Sequence, residues 1–235
     1  MISVVFPVHN ELDNLAPLLA EVEAVLGAKA LEVIAVDDSS TDGSLQELRR
    51  LQAEHARLRV VSLVRHAGQS AAFAAGMAAA RGDPIVLMDA DGQNDPADVP
   101  VLLDILDRER ECAAVVGYRV DRADSAWRLF QSRVANSVRN WITGDRVRDT
   151  GCSLKVVRSA AAQDLVCFDG MHRFFPTLIR RSGGRVIEAP VSHRPRLSGK
   201  SKYGMWNRGM VALRDALGVR WLRLRRLEYE SKEEI

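Results

Sequence analysis

What the chain lacks narrows its class first. Cysteine is scarce: Cys112, Cys152 and Cys167 form no C-x-x-C pair and leave an odd count, so a disulfide framework is excluded and a reducing, cytoplasmic setting is expected. No window supplies the roughly 18 uncharged apolar residues of a membrane-spanning helix, so any membrane contact is expected to be peripheral. Met1 to Phe6 carry no basic flank and no cleavage-like site, so no signal peptide is expected. Neither sign of charge dominates. The 33 Lys and Arg against 31 Asp and Glu leave a formal net charge of +2, too balanced for nucleic acid as a global partner. No G-x-G-x-x-G follows the first apolar run and no G-x-x-x-x-G-K-[ST] occurs, which argues against a dinucleotide oxidoreductase and a P-loop NTPase. Repeats and low-complexity linkers are missing too. The 235 residues, 47% hydrophobic, fit one large globular domain or one domain with an appendage.

What is present alternates. Apolar runs at Ile2 to Phe6, Leu31 to Val36, Leu58 to Val64, Pro84 to Met88 and Ala113 to Val116 read as buried strands. Between them, Leu15, Leu18, Leu19, Val22 and Leu26 mark one helix, and Leu45, Leu48 and Leu51 mark another. Pro17 belongs in a first turn, so the first helix is expected to start near Asn14, with Asp13 or Asn14 as its cap. Asp95-Pro96 is a cap followed by proline and predicts a helix through Leu106. Strand–helix alternation predicts an α/β fold, a doubly wound and mostly parallel sheet with right-handed crossovers. Further on, helices are expected over Ser125 to Ile142, Ser159 to Val166 and Arg173 to Arg181, with strands at Leu154 to Val157 and Val186 to Val191.

In such a sheet ligands collect at the carboxyl ends of the strands. Four polar loops leave those ends: Pro7 to Glu11, Asp37-Asp38, Arg65-His66 and Asp89-Ala90-Asp91. The last is the most informative. Acidic residues are rarely buried unpaired, and oxygen ligands at this spacing suit a hard divalent ion, Mg²⁺ or Mn²⁺, and through it a diphosphate. Asp89-Ala90-Asp91 is therefore a candidate metal and nucleotide-sugar site, with a solvated turn as the plainer alternative.

Two basic features follow in the second half. Arg194, Arg196, Lys200 and Lys202 are interleaved with Pro, Gly and Ser over residues 192–204, a loop suited to phosphate oxygens. From Met205 to Leu227, Trp206, Met210, Leu213, Leu217, Trp221 and Leu224 alternate with arginines, the pattern of an amphipathic helix on an anionic membrane surface. Packing on its own domain, or on a second subunit in a homodimer, is the alternative. The tail after Leu227 is acidic.

Taken together, Val4-Val5-Phe6-Pro7-Val8-His9-Asn10-Glu11, Val36-Asp37-Asp38-Ser39-Ser40-Thr41-Asp42-Gly43, Asp89-Ala90-Asp91-Gly92-Gln93, Gly117-Tyr118-Arg119, Asp149-x-Gly151 and Arg196-x-x-Gly199-x-Ser201-Lys202-Tyr203 resemble the family-2 glycosyltransferases of GT-A fold. The likeness is to the branch making polyprenyl-phosphate or dolichyl-phosphate sugars, dolichyl-phosphate mannosyltransferase-like hexosyltransferases among them. His9 stands where that family usually has Tyr, and Ser39 where Gly is common.

The resemblance implies a catalytic domain over 1–204, with a nucleotide-sugar half of about 1–118 and an acceptor half of about 119–204, followed by the amphipathic segment and acidic tail over 205–235. It implies a donor-binding set of Pro7, His9, Glu11, Asp37, Asp38, Arg65, Gly68, Asp89 and Ala90, and a metal set of Asp89, Asp91 and Gln93. Asp91, Arg119, Arg196 and Lys202 would carry the catalytic roles, with Arg128, Arg133 and Lys200 toward the acceptor phosphate. Asp149 could fill a base role but is expected to be structural or sugar-contacting, and His172 either is satisfied locally, as a lone histidine usually is, or faces the acceptor. The implied reaction is inverting transfer from a UDP- or GDP-sugar to a polyprenyl phosphate on the cytoplasmic face of the membrane. A phosphate acceptor is already anionic near neutral pH and needs no base. Two alternatives remain: transfer to a sugar hydroxyl in a cell-surface glycan, or a nucleotide-sugar-binding subunit without turnover.

Overall fold

The structure is a computed structural model. It describes all residues except Ala28, Ala30, 121–125, 196–204 and 226–235, and only the backbone of 126–133 and 205–209. β1 (Ile2–Val8), α1 (Leu12–Leu26), β2 (Leu31–Asp37), α2 (Ser44–Glu54), β3 (Leu58–Ser62), α3 (Gln69–Ala79) and β4 (Ile85–Leu87) form the first half. A 3-10 turn at Pro96–Asp98 leads into α4 (Val99–Arg108), and β5 (Cys112–Arg119), α5 (Ala126–Thr143), β6 (Lys155–Val157) and α6 (Ser159–Gln163) follow. A second 3-10 turn, Met171–Arg173, precedes α7 (Phe175–Arg181), β7 (Arg185–Val191) and α8 (Met205–Leu224).

The seven strands make one sheet in the order β3-β2-β1-β4-β6-β5-β7. Every neighbouring pair is parallel except the two that involve β6, which runs against β4 and β5. All seven β2 residues are buried, as expected of a central strand covered on both faces. Alternation along β1 divides the core. Val4, Phe6 and Val8 point into the layer of α1, α2 and α4, while Val5 joins Ile34, Phe73, Phe174, Phe175 and Leu178 on the other face.

β1 runs on through Pro7, whose partner in β2 is Val36. β4 stops opposite Val5, so the proline lies where that side of β1 has no ladder to complete. α1 begins at Leu12, earlier than expected, and leaves Pro17 inside the helix. Its first turn is secured from outside: Ser44 Oγ accepts from Glu11 N at 3.0 Å and Asp42 Oδ2 from Leu12 N at 3.2 Å. Asp95 caps the Pro96 turn as expected, accepting from Ala97 N. α3 lies so close to the sheet that a Cβ on Gly76 would collide with Val5 Cγ1 and come within 3.1 Å of Val36 Cγ2.

α8 seats Ala216 and Val219 in the second core and packs on α5. Arg220 donates to Ile142 O at 2.9 Å, and Arg223 to Thr143 O and Gly144 O, both at 2.6 Å. These two exposed arginines satisfy carbonyls at the C-terminal end of α5. The outer sides remain apolar: Val134, Val138 and Trp141 (81% exposed) on α5, and Met210, Leu213, Leu217, Trp221 (60%) and Leu224 on α8. Among the described residues no helix is long and apolar enough to cross a membrane.

Candidate functional site

The loops after β1, β2, β3 and β4 lie at one edge of the sheet, and Asp38 joins the first three. Its carboxylate accepts from Ala67 N (2.7 Å) and Gly68 N (2.8 Å), and His66 Nδ1 lies 2.9 Å from Oδ2. His9 Nδ1 reaches the Asp38 carbonyl at 2.8 Å, and the His9 and His66 rings stand 4.2 Å apart. One ligand atom from each of His9, Asp38 and His66 lies within 4.8 Å of the others, a geometry compatible with a cation. Asp37 is fully buried; its Oδ2 accepts from Ser40 N, while Oδ1 has no hydrogen-bond partner among the described residues. Asn10 and Ser39 both adopt φ of 57°, and Asn10 Oδ1 accepts from Thr41 N at 2.7 Å, tying the first two loops together. Ser39 thus takes the left-handed conformation that would favour the glycine common in the family. Glu11 Oε2 accepts from Asn14 Nδ2, Pro7 is half-buried, Arg65 is exposed, and Gly68 opens α3 at φ 87°.

At the end of β4 the Asp89 carboxylate is held on both oxygens. Gln69 Nε2 donates to Oδ1 at 2.6 Å and Ser153 Oγ to Oδ2 at 2.6 Å, and Asn94 Oδ1 accepts from Asp89 N. Burial first, and the neighbouring Asp91 carboxylate second, push the Asp89 carboxyl above its ordinary value. Lys155, buried on β6, partly offsets that charge while its Nζ donates to Cys152 O. Burial in turn lowers the Lys155 ammonium below the usual lysine range. Asp91 Oδ1 accepts from Gln93 N, and Gln93 Nε2 stands 3.5 Å from His193 Nε2. Two mutually repelling carboxylates beside an amide and an imidazole form a donor set that fits a hard divalent cation. Asp91, Gln93 and His193 lie together there, with the Asp89 carboxylate beside Asp91. Ala90 between the two aspartates is buried.

The second half closes the edge with ion pairs. Arg119 clamps Asp149 bidentately, Nε to Oδ2 at 2.7 Å and Nη2 to Oδ1 at 2.9 Å. Burial alone would raise the Asp149 carboxyl, but Arg119's hydrogen bonds and charge outweigh it and hold it below the usual range. Arg194, grouped by sequence with the phosphate-binding cations, instead pairs with Glu21 at 2.6 Å and Asp95 at 2.7 Å, and its N–H donates to Gln93 O. These contacts pin the segment after β7 beside the aspartate loop and bring His193 to Gln93. Arg196, Lys200 and Lys202 lie outside the described residues, as do the side chains of Arg128 and Arg133 on α5. Sequence reasoning missed Gln69, Ser153, Lys155 and His193. Of these, His193 alone carried a signal, an imidazole beside the basic stretch.

Comparison with known proteins follows the same lines. The model of Glycosyl transferase family 2 matches residues 3–166. Dodecaprenyl-phosphate galacturonate synthase of Rhizobium johnstonii is 38% identical over 224 residues, covering 93% of this chain and 66% of that protein. Undecaprenyl-phosphate 4-deoxy-4-formamido-L-arabinose transferase of Edwardsiella ictaluri is 36% identical over 207 residues, covering 87% and 63% respectively. The chain therefore spans less than two thirds of the length of these relatives. Among solved structures, Mycobacterium tuberculosis glucosyl-3-phosphoglycerate synthase in complex with Mn²⁺, UDP and phosphoglyceric acid superposes with a TM-score of 0.71 at 19% identity, over 97% of this chain and 80% of that one. A mannosyltransferase from Pyrobaculum calidifontis in complex with GDP-Man and Mn²⁺ gives 0.61 at 18% identity, over 95% and 73%. At such identities the likeness carries the fold, which is GT-A. With the family model covering well over half its length, the chain belongs to glycosyl transferase family 2.

Proposed function

We propose that the chain transfers a sugar from a nucleoside diphosphate sugar, UDP- or GDP-linked, to the phosphate of a polyprenyl monophosphate, with inversion at the anomeric carbon. The observation that carries this reading is the state of Asp149. A transferase acting on a sugar hydroxyl needs a base, and Asp149, engaged on both oxygens by Arg119 and held below the usual carboxyl range, is a poor one. An acceptor phosphate, with its second pKa near about 6, brings its own nucleophilic anion. The polyprenyl-phosphate sugar enzymes among the relatives agree with that choice.

In this reading the half up to about 118 holds the donor and the half from 119 to 204 receives the acceptor. Asp91, Gln93 and His193 would hold a Mg²⁺ or Mn²⁺ ion, and Asp89 would contact the ribose or support the metal. When bound, that cation would neutralise the charge developing on the departing diphosphate. His9 and Glu11 would contact the base or ribose, and Arg119, Arg196 and Lys202 would meet phosphate oxygens. The apolar outer sides of α5 and α8 would rest on an anionic membrane, where the lipid head group is reached.

The test is product formation from UDP- and GDP-sugars with undecaprenyl phosphate, in Mn²⁺ and in excess chelator. Lipid-linked sugar and free nucleoside diphosphate, appearing together and only with lipid phosphate and metal, are expected. Transfer to a free sugar hydroxyl without lipid phosphate would replace this reading. Flotation on anionic vesicles, compared with a chain truncated before α8, checks the membrane contact; equal flotation of both would remove it.

A further inference from the structure

We propose that His172 acts as a permanently uncharged hydrogen-bond donor, its Nε2–H fixed by Ser70 and directed to a phosphate oxygen, and not as a proton acceptor. The inference rests on the transfer reading above for the identity of its ligand. The geometry at Ser70 sets the tautomer. Ser70 sits in the first turn of α3, and its Oγ accepts from two backbone N–H groups, Gly170 N at 3.0 Å and His172 N at 3.5 Å. With both lone pairs of the hydroxyl taken, its one proton goes to the remaining neighbour, His172 Nδ1, 2.7 Å away. Nδ1 is then the acceptor, and the ring's proton resides on Nε2.

The surroundings keep the ring neutral. Burial first, then the charges of Arg173 and Lys155, lower its pKa from 6.5 to about 3. The groups facing it are Arg173 on its own turn, Lys155 from β6 and Ser70 from α3; Asp215 of α8 stands 3.8 Å from Arg173, and Asp89 lies beyond Lys155. The ring is linked to the aspartate site through the start of α3. Gln69, adjacent to Ser70, donates to Asp89, so consecutive residues of one helix start hold Asp89 and His172. A neutral N–H flanked by an arginine and a lysine is suited to an anionic oxygen, and both substrates of the proposed reaction carry phosphate.

The experiment divides the ring. His172→Gln restores an amide N–H near the place of Nε2, whereas His172→Asn restores only a group near Nδ1. For a bond to an anionic oxygen, the Asn variant should raise the KM of one phosphate-bearing substrate by about tenfold to a hundredfold, and the Gln variant should recover most of that loss. A rise confined to the lipid phosphate assigns the acceptor, and one confined to the nucleotide sugar assigns the donor diphosphate. Nitrogen-15 spectra of the wild-type imidazole should show protonated Nε2 and bare Nδ1, unchanged from pH 5 to 9. Equal loss in both variants, no rise in either KM, or a ring that titrates in that range overturns the proposal. Wild-type protein inactive with every lipid phosphate would instead defeat the transfer reading, and the nitrogen spectrum would still judge the histidine.

Discussion

The two sides of the strand-end edge are held by different forces. On the side of β1 to β4, carboxylates gather uncharged donors: Asp38 takes the N–H groups of Ala67 and Gly68, Asp42 those of Leu12 and Ser44, and Asp37 that of Ser40. On the side of β5 to α8, arginines answer carboxylates: Arg119 with Asp149, Arg180 with Asp145, Arg173 with Asp215. Backbone donors fix the shape of a loop and cannot be exchanged, which suits a cleft for a base and ribose of constant form. A guanidinium carries more N–H donors than one carboxylate takes, which suits an anionic acceptor beside a pair that stays intact. The Arg173–Asp215 contact, at 3.8 Å, is the loosest of the three, and among the described residues Arg173 Nε and Asp215 Oδ2 have no hydrogen-bond partner.

The sharpest break should come at the aspartates between the two sides. Asp91→Asn is expected to lower turnover at least about a hundredfold. It should also erase the rise in thermal midpoint that Mn²⁺ with nucleotide produces, at unchanged secondary structure. Transfer within about twofold of wild type would show that the metal assignment is wrong.

Next in size is a matched pair of variants. Arg119→Met strands the Asp149 carboxylate, 10% exposed, and should cost about 3 kcal/mol in urea unfolding; adding Asp149→Leu should return most of it. Asp38→Asn keeps an acceptor oxygen for one of its two backbone donors and should cost about 1 kcal/mol, less than the stranded carboxylate. Equal costs would erase the contrast between the two sides.

Acid probes the same contrast through His172. Between its unfolded value of 6.5 and its native value of about 3, the unfolded chain binds a proton that the native ring refuses. That contribution to stability is present above pH 6.5 and is lost as pH falls through the window. His172→Gln should flatten this part of the stability curve, and an unchanged slope would place the acid sensitivity elsewhere. The smallest effect belongs to Ser39→Gly, which relieves a left-handed residue at φ 57° at some cost in chain entropy. A gain of about 0.5 kcal/mol is expected, and a loss would mean that the serine side chain does more than occupy the turn.

Apolar runs and helical spacing made the alternating fold readable, and Asp89-Ala90-Asp91 announced itself by placing two acids where a buried strand ends. The reversal of β6 hid the rest. Because that strand runs against its neighbours, Ser153 and Lys155 reach the aspartates from a strand's beginning, where a search of strand ends does not look. Arg194 looked like a cation in want of phosphate because its acids, Asp95 and Glu21, lie 99 and 173 residues away. The start of α1 was misplaced for a related reason: its first turn is secured by Asp42 and Ser44, not by its own residues.

Gly76 makes α3 a mechanical part. With no side chain between helix and sheet, it is the bearing on which the helix rests. Ser70 lies six residues away, a rigid arm of about 9 Å at the helical rise. Any side chain added at the bearing lifts the arm, and a lift of about 1 Å at its tip is enough to part hydrogen bonds of this length. Gln69 and Ser70 would then lose Asp89 and His172 together, so a defect arising against Val5, beneath the middle of the sheet, would show itself first as a failure at the edge.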